Sequence, residues 1–161
     1  MYLLQRDRIM EEGESAFEAM DSLSASTREA YDALFHEETG DWKEEVTAIY
    51  EPDFITQLNL LMIESIKLEP RFRRKGIGAQ VVREIIATVG ASCGIVACKP
   101  FPLQYSGWCD KDKAKLREQP GFEKERRVAF NKIAKYWSNL GFQKLPSSDF
   151  YVLSPEFHNV L

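Results

Sequence analysis

Leu68-Glu69-Pro70-Arg71-Phe72-Arg73-Arg74-Lys75-Gly76-Ile77-Gly78-Ala79 joins an apolar run to a helical pattern, and the reading of the whole chain turns on it. Upstream, Leu58 to Leu68 (LNLLMIESIKL) is dense in apolar and β-branched residues and predicts a strand. Downstream, Val81, Val82, Ile85, Ile86 and Val89 recur at helical spacing and predict a helix over 78–89, ended by Gly90. Between them stand the cations Arg73, Arg74 and Lys75 and two glycines. Backbone N–H groups at a helix start have no internal partners, and the helix dipole adds partial positive charge there. Glycines at 76 and 78 let the main chain approach an anion closely. Two readings follow: an anion cradle, or an ordinary basic, exposed strand-to-helix turn.

The flanks favour the cradle. Gly94 to Cys98 (GIVAC) predicts a buried strand closed by Lys99-Pro100, so strand, turn, helix and strand form a βαβ unit with two parallel neighbours. The turn lies at the carboxyl end of the first strand, where such units bind ligands. It is not a Walker loop, since no Lys-Ser or Lys-Thr follows the glycines. It is not the dinucleotide G-x-G-x-x-G either, having only two glycines behind Arg73.

A chain of 161 residues with 44% hydrophobic content suits one domain with a substantial core. The opening MYLLQRDRIM has too short an apolar run for a signal peptide, and no run is long enough to span a bilayer. Cys93, Cys98 and Cys109 have no C-x-x-C spacing, which argues against a zinc site or a disulfide framework and for a reduced, cytoplasmic protein. His36 and His158 are isolated, no metal-ligand spacing stands out, and no metal is expected.

The net charge of −4 hides an asymmetry. Residues 1–53 carry 15 acidic against 4 basic residues, a balance of −11, and residues 54–161 carry 10 against 17, a balance of +7. This is either a pair of ordinary solvated faces or a polyanion site behind an acidic front that meets a cationic substrate or partner. Nucleic acid ranks low as the anion: the overall charge is acidic and the basic residues lack aromatic interleaving.

The remaining elements follow from local pattern. Tyr2–Ile9 reads as a strand and Gly13–Leu23 as a helix. Ser26-Thr27-Arg28-Glu29 matches a capping box, with Tyr31, Leu34 and Phe35 on one helical face before Gly40. Trp42–Tyr50 reads as a short helix stopped by Pro52. Residues 100–122 form a polar loop or short helix carrying Phe101, Tyr105, Trp108, Lys111, Lys113 and Lys115, a recognition surface or a lap over the core. Glu123–Leu140 is helical with Val128, Ile133, Trp137 and Leu140 inward, and Gly141 ends it. Phe142–Leu145 and Phe150–Leu153 form a closing hairpin around PSSD.

Leu68 to Gly78 resembles the acetyl-CoA signature of the GNAT acyltransferase superfamily, hydrophobic-x-Pro-x-aromatic-Arg-x-(Lys/Arg)-Gly-x-Gly. KIAKYWSNLGFQ, Lys132 to Gln143, resembles that family's later helix followed by Leu-Gly-Phe and a strand. Together the motifs span residues 58–153. The resemblance implies a single GNAT-like α/β domain over 1–161, with a mixed central sheet splayed after the motif and flanking helices. Residues 58–153 would be the acyl-CoA-binding core, and 1–53 an acidic, mostly helical flank. The family normally places a β-hairpin before the central strand, so this helical front is a departure.

By the same resemblance, Arg73, Arg74, Lys75, Gly76, Ile77, Gly78 and Ala79 cradle the pyrophosphate of coenzyme A. The main chain of Ile66, Lys67 and Leu68 pairs with the pantetheine arm like an added strand. Glu64 stands where many members keep a glutamate that takes a proton from the acceptor amine; otherwise it is an outward-facing charge. An ammonium must lose a proton before it attacks a thioester, which gives a carboxylate a role there. The usual general acid, a tyrosine four residues before the glycine of Leu-Gly-Phe, is replaced by Trp137, which has no titratable proton. Trp137 reads as a core anchor or a wall of the cofactor slot. Tyr136, the candidate substitute, projects about 100° away around the helix.

The resemblance implies an N-acyltransferase moving an acetyl or other acyl group from coenzyme A to an amine by direct attack, with acetyl-CoA or another acyl-CoA as co-substrate. The acceptor would be a small-molecule or peptide amine, and a second copy of the chain is a candidate partner. The alternative is a non-catalytic or regulatory CoA-binding module that kept the turn and lost the acid.

Overall fold

The computed structural model describes residues 1–50, 55, 57–105 and 125–158. Pro52, most of the 100–122 loop with Trp108, Cys109, Lys111, Lys113 and Lys115, and the expected helix start at Glu123 lie outside them. In chain order the elements are β1 (Tyr2–Leu4), α1 (Arg6–Glu11), α2 (Ala16–Leu23), α3 (Ala25–Leu34), α4 (Glu44–Thr47), β2 (Leu60–Ile63), α5 (Ile77–Thr88), β3 (Ile95–Cys98), α6 (Arg126–Ser138), β4 (Gln143–Lys144), β5 (Tyr151–Leu153) and α7 (Pro155–His158), with short 3-10 turns at Pro70–Phe72, Gly90–Ser92 and Leu103–Tyr105. The fold is mixed α/β.

Among the described residues, five strands form one sheet in the order β1-β2-β3-β5-β4. The pair β2–β3 is parallel, as the βαβ reading requires, and the other pairs are antiparallel. Alternation along the strands builds two cores. Leu60, Met62, Ile95, Ala97 and Val152 face the amino-terminal helices, against Met20, Ala30, Tyr31, Leu34, Phe35 and Val46. Leu61, Ile63, Val96, Cys98 and Leu153 face the other way, against Val82 and Ile86 of α5 and Trp137 of α6. The buried thiols of Cys93 and Cys98 belong to this second core, and burial pushes both up in pKa. They are small hydrophobes there.

Local signals explain the helix starts. Ser15 accepts from the Glu18 N–H while Glu18 accepts from the Ser15 N–H, a reciprocal cap for α2. The cap of α3 is Ser24 paired with Thr27, two residues earlier than the spacing of Ser26 and Glu29 suggested. Ser24 is extended, at φ −170° and ψ 162°, as a cap must be, and Ser26 is already inside the helix. Four further expectations are corrected. The first strand stops at Leu4, because α1 opens at Arg6. The Trp42–Tyr50 helix is only Glu44–Thr47, with Trp42 bridged to Phe35. The central strand spans Leu60–Ile63, not Leu58–Leu68, since its partner ends at Cys98 before Lys99-Pro100, and proline has no N–H to extend the ladder. Gly90 is not a left-handed cap; it opens a 3-10 turn and is buried, a Cβ there lying 3.4 Å from Val96. The closing hairpin forms as expected, with Gly141 at φ +94° ending the preceding segment.

Candidate functional site

The turn after β2 is held by its own arginine. Arg73 Nε donates to the Leu68 carbonyl at 2.9 Å, which folds Glu69–Phe72 into a compact step ahead of α5. Arg74 follows at φ +59°, a left-handed conformation that is strained for a residue with a Cβ, and Gly76 adopts φ +77° as the N-cap of α5. Gly76 brings no side-chain cap, so the first-turn N–H groups of a twelve-residue helix lack that partner. A Cβ on Gly76 would meet nothing within 4 Å, so this backbone is approachable. Gly78 differs: a Cβ there would lie 3.1 Å from the Tyr136 hydroxyl and 3.2 Å from Leu68 Cδ1. Its missing side chain is what lets α6 and the turn close on one another.

The turn opens into a cavity of about 580 Å³. Glu64, Ile66, Lys67, Leu68, Arg73, Arg74, Gly76, Gly78, Ala79, Tyr136 and Trp137 all line it, so the expected site residues are brought together except Lys75 and Ile77. The floor is where the β2–β3 ladder ends: Ile63↔Cys98 is its last rung, and Glu64 to Glu69 carry no strand pairing. Ile63 and Lys99 line the cavity at this point. At the other end stand the N-terminus of α5 and the Tyr136 hydroxyl. Burial raises the Tyr136 pKa and Arg83 partly offsets this, so the phenol keeps its proton through the neutral range. Trp137 is buried and packs edge-on against Phe142, with ring centroids 5.0 Å apart. It is a core anchor and a cavity wall at once.

Of the rest of the wall, the sequence pointed to Ile133 as an inward residue and to Phe101 as a recognition candidate, but not to Ala129, Lys132, Pro102 or Leu103. Ala129, Lys132 and Ile133 line the cavity from α6, and Phe101, Pro102 and Leu103 line it as well. Ala129, Ile133 and Trp137 follow i, i+4 spacing, as do Lys132 and Tyr136, so the helix face was available as a signal. The aromatic residues of the described part of the 100–122 loop pack onto α6: Phe101, which stays exposed, lies edge-on to Phe130 at 5.2 Å, and Tyr105 stacks near the same ring at 6.5 Å.

The amino-terminal helices reach the other side of the strand ends. Ser26 Oγ of α3 donates to Glu64 Oε1 at 2.5 Å, and Lys99 Nζ donates to Glu29 Oε2 at 2.7 Å. A second, shallower cleft of about 350 Å³ lies on this side and shares Lys99 with the cavity. It mixes charges: Glu29, Asp32 and Asp149 with Lys43 and Lys99. Among the described residues no group of three His, Cys, Asp or Glu could hold a metal ion, and no helix is long and apolar enough to cross a membrane. Compared with known proteins, the chain matches no family model, no curated sequence and no solved structure.

Proposed function

We propose that this chain is an acyl-CoA-dependent N-acyltransferase of the GNAT kind, with its cofactor turn at Arg73–Ala79 and its chemistry at Glu64. The observation that carries the reading is continuity. One cavity runs from the uncapped start of α5, beside Arg73 and Arg74, to the end of a parallel strand ladder, where the Glu64 carboxylate and Lys99 line it. Its volume suits a small-molecule site. The residues fit a pyrophosphate: Arg74 and the bare first turn of α5 supply charge and donors, and Gly76 leaves the backbone accessible.

Acetyl-CoA, when bound, supplies the acyl group as a thioester. The Glu64 carboxylate would take a proton from the acceptor ammonium, freeing the amine lone pair to attack the acyl carbon of the thioester, with coenzyme A thiolate as the leaving group. Glu64 is exposed and its hydrogen bond from Ser26 engages one oxygen. The segment after Ile63, which joins no strand ladder, provides main chain of Ile66–Leu68 to meet an extended arm. Tyr136 is assigned as a donor to the ligand near the turn, because its hydroxyl lies against Gly78 and Leu68, four residues of chain beyond Glu64. The acceptor is an amine that approaches from the side of α3.

A second reading is a CoA-binding module without catalysis. It is favoured by Trp137, which fills the usual acid position with a buried side chain that has no titratable proton. One experiment separates the two. The protein is first heated with and without coenzyme A, where a ligand at a hundredfold its Kd adds about 2.7 kcal/mol of stability. It is then incubated with acetyl-CoA and a panel of amines while thiol release is followed. The enzyme reading expects both responses. Stabilisation without thiol release for any amine supports the binding module, and a response to heparin or DNA but not to coenzyme A overturns both.

A further inference from the structure

Ile63 and Cys98 form the last rung of the β2–β3 ladder, so Glu64 and Lys99 are the next residues on two parallel neighbours. Alternation sends both toward α3, since Met62 and Ala97, two residues earlier, belong to the core on that side. Neighbouring strands lie about 4.8 Å apart, which brings a carboxylate and an ammonium at these positions within pairing reach. Each nevertheless bonds to α3, Glu64 to Ser26 and Lys99 to Glu29. Ser26 and Glu29 are three residues apart and share one helix face. The helix itself is fixed by buried Ala30, Tyr31 and Leu34, and by Thr27 Oγ1 donating to the Met20 carbonyl at 2.6 Å.

We propose that Ser26 and Glu29 are positioning residues that prevent Glu64 and Lys99 from pairing, holding the strand gap open and the Glu64 carboxylate available. The choice of partners is chemically apt. A hydroxyl orients the carboxylate without adding a charge, whereas an ammonium beside it would favour the ionised form and weaken it as a base. Glu29 supplies the countercharge that Lys99 would otherwise take from Glu64. The inference rests on the acyltransferase reading for its functional consequence, but the contacts stand independently of it.

The test uses Glu29→Ala alone and with Lys99→Gln, read in two ways. Among the described residues, the charged groups that line the cavity with Glu64 are Lys67, Lys99, Lys132 of α6, and Arg73 and Arg74 of the turn, and on the α3 side Glu29, Asp32, Lys43 and Asp149 share the second cleft with Lys99. In Glu29→Ala the Glu64 carboxyl, followed by carbon NMR, should titrate at lower pH than in the parent, because Lys99 now pairs with it. Its kcat should fall about tenfold, part of the usual contribution of a general base, while KM for acetyl-CoA stays within about twofold. Adding Lys99→Gln should reverse both changes. Ser26→Ala should lose about as much kcat, and Ser26→Thr, which keeps the hydroxyl, should regain it. An unshifted Glu64 titration in Glu29→Ala, or a double variant as impaired as the single one, overturns the proposal. A shifted titration in a protein whose parent transfers no acyl group would remove the enzyme reading and leave the clasp standing.

Discussion

The two ends of the β2–β3 pair are built in opposite ways. At the amino-terminal end the chains are tied. The Gly94 N–H donates to the Asn59 carbonyl, Asn59 Nδ2 to the Ser92 carbonyl, and the Arg6 N–H to Asn59 Oδ1, each at 3.0 Å. A Cβ on Gly94 would lie 1.9 Å from the Gln57 carbonyl oxygen, so the strands enter the sheet in backbone contact. At the carboxyl end the ladder stops at Ile63↔Cys98, the next two residues are drawn to α3, and a cavity opens. The tied end fixes register with uncharged bonds. The untied end carries charge and space, and that is where a ligand can act.

Gly94→Ala attacks the tied end and should have the largest effect. The new methyl cannot fit without backbone movement, so unfolding by urea should report a loss of more than about 3 kcal/mol. A loss near 1 kcal/mol would mean that the two chains are not locked at this end.

Glu64→Gln attacks the open end. The amide still accepts from Ser26, so stability should hold, while acyl transfer falls about a hundredfold. Activity equal to the parent would leave Glu64 as scaffold and move the chemistry elsewhere along the cavity.

Arg74→Gly sharpens the comparison by separating charge from backbone. Relief of a left-handed arginine, worth about 1 kcal/mol, is offset by the greater freedom of glycine in the unfolded chain. Stability should therefore change by less than about 0.5 kcal/mol, and coenzyme A affinity should fall about fivefold. Tyr136→Phe is the smallest change: KM for acetyl-CoA should rise about threefold with kcat nearly constant and no difference in pH dependence across the neutral range, where the phenol is protonated throughout. A selective loss of kcat would instead make Tyr136 the proton donor to the leaving thiolate.

The sequence made the open end far more legible than the tied end. Apolar density, helical period and the glycine-cation turn located β2, α5 and β3, because each signal is local. Strand length was not local: LNLLMIESIKL is apolar enough for eleven residues, yet pairing ends where the partner meets Lys99-Pro100. The expected capping box fell two residues late because Ser24, Ser26 and Thr27 all have capping chemistry, and only backbone geometry selects Ser24. The clasp was invisible for a related reason. Ser26 and Glu29 contact residues 38 and 70 positions away, and no spacing rule joins them. The tied end rests on a glycine whose necessity comes from a carbonyl 37 residues earlier in the chain.

Titration calorimetry of the parent and Arg74→Gly with coenzyme A measures whether the turn at Arg73–Ala79 holds the ligand. One binding site is expected in the parent, weakened about fivefold in a variant of equal stability. No binding heat in the parent, or identical affinity in the two proteins, would contradict it.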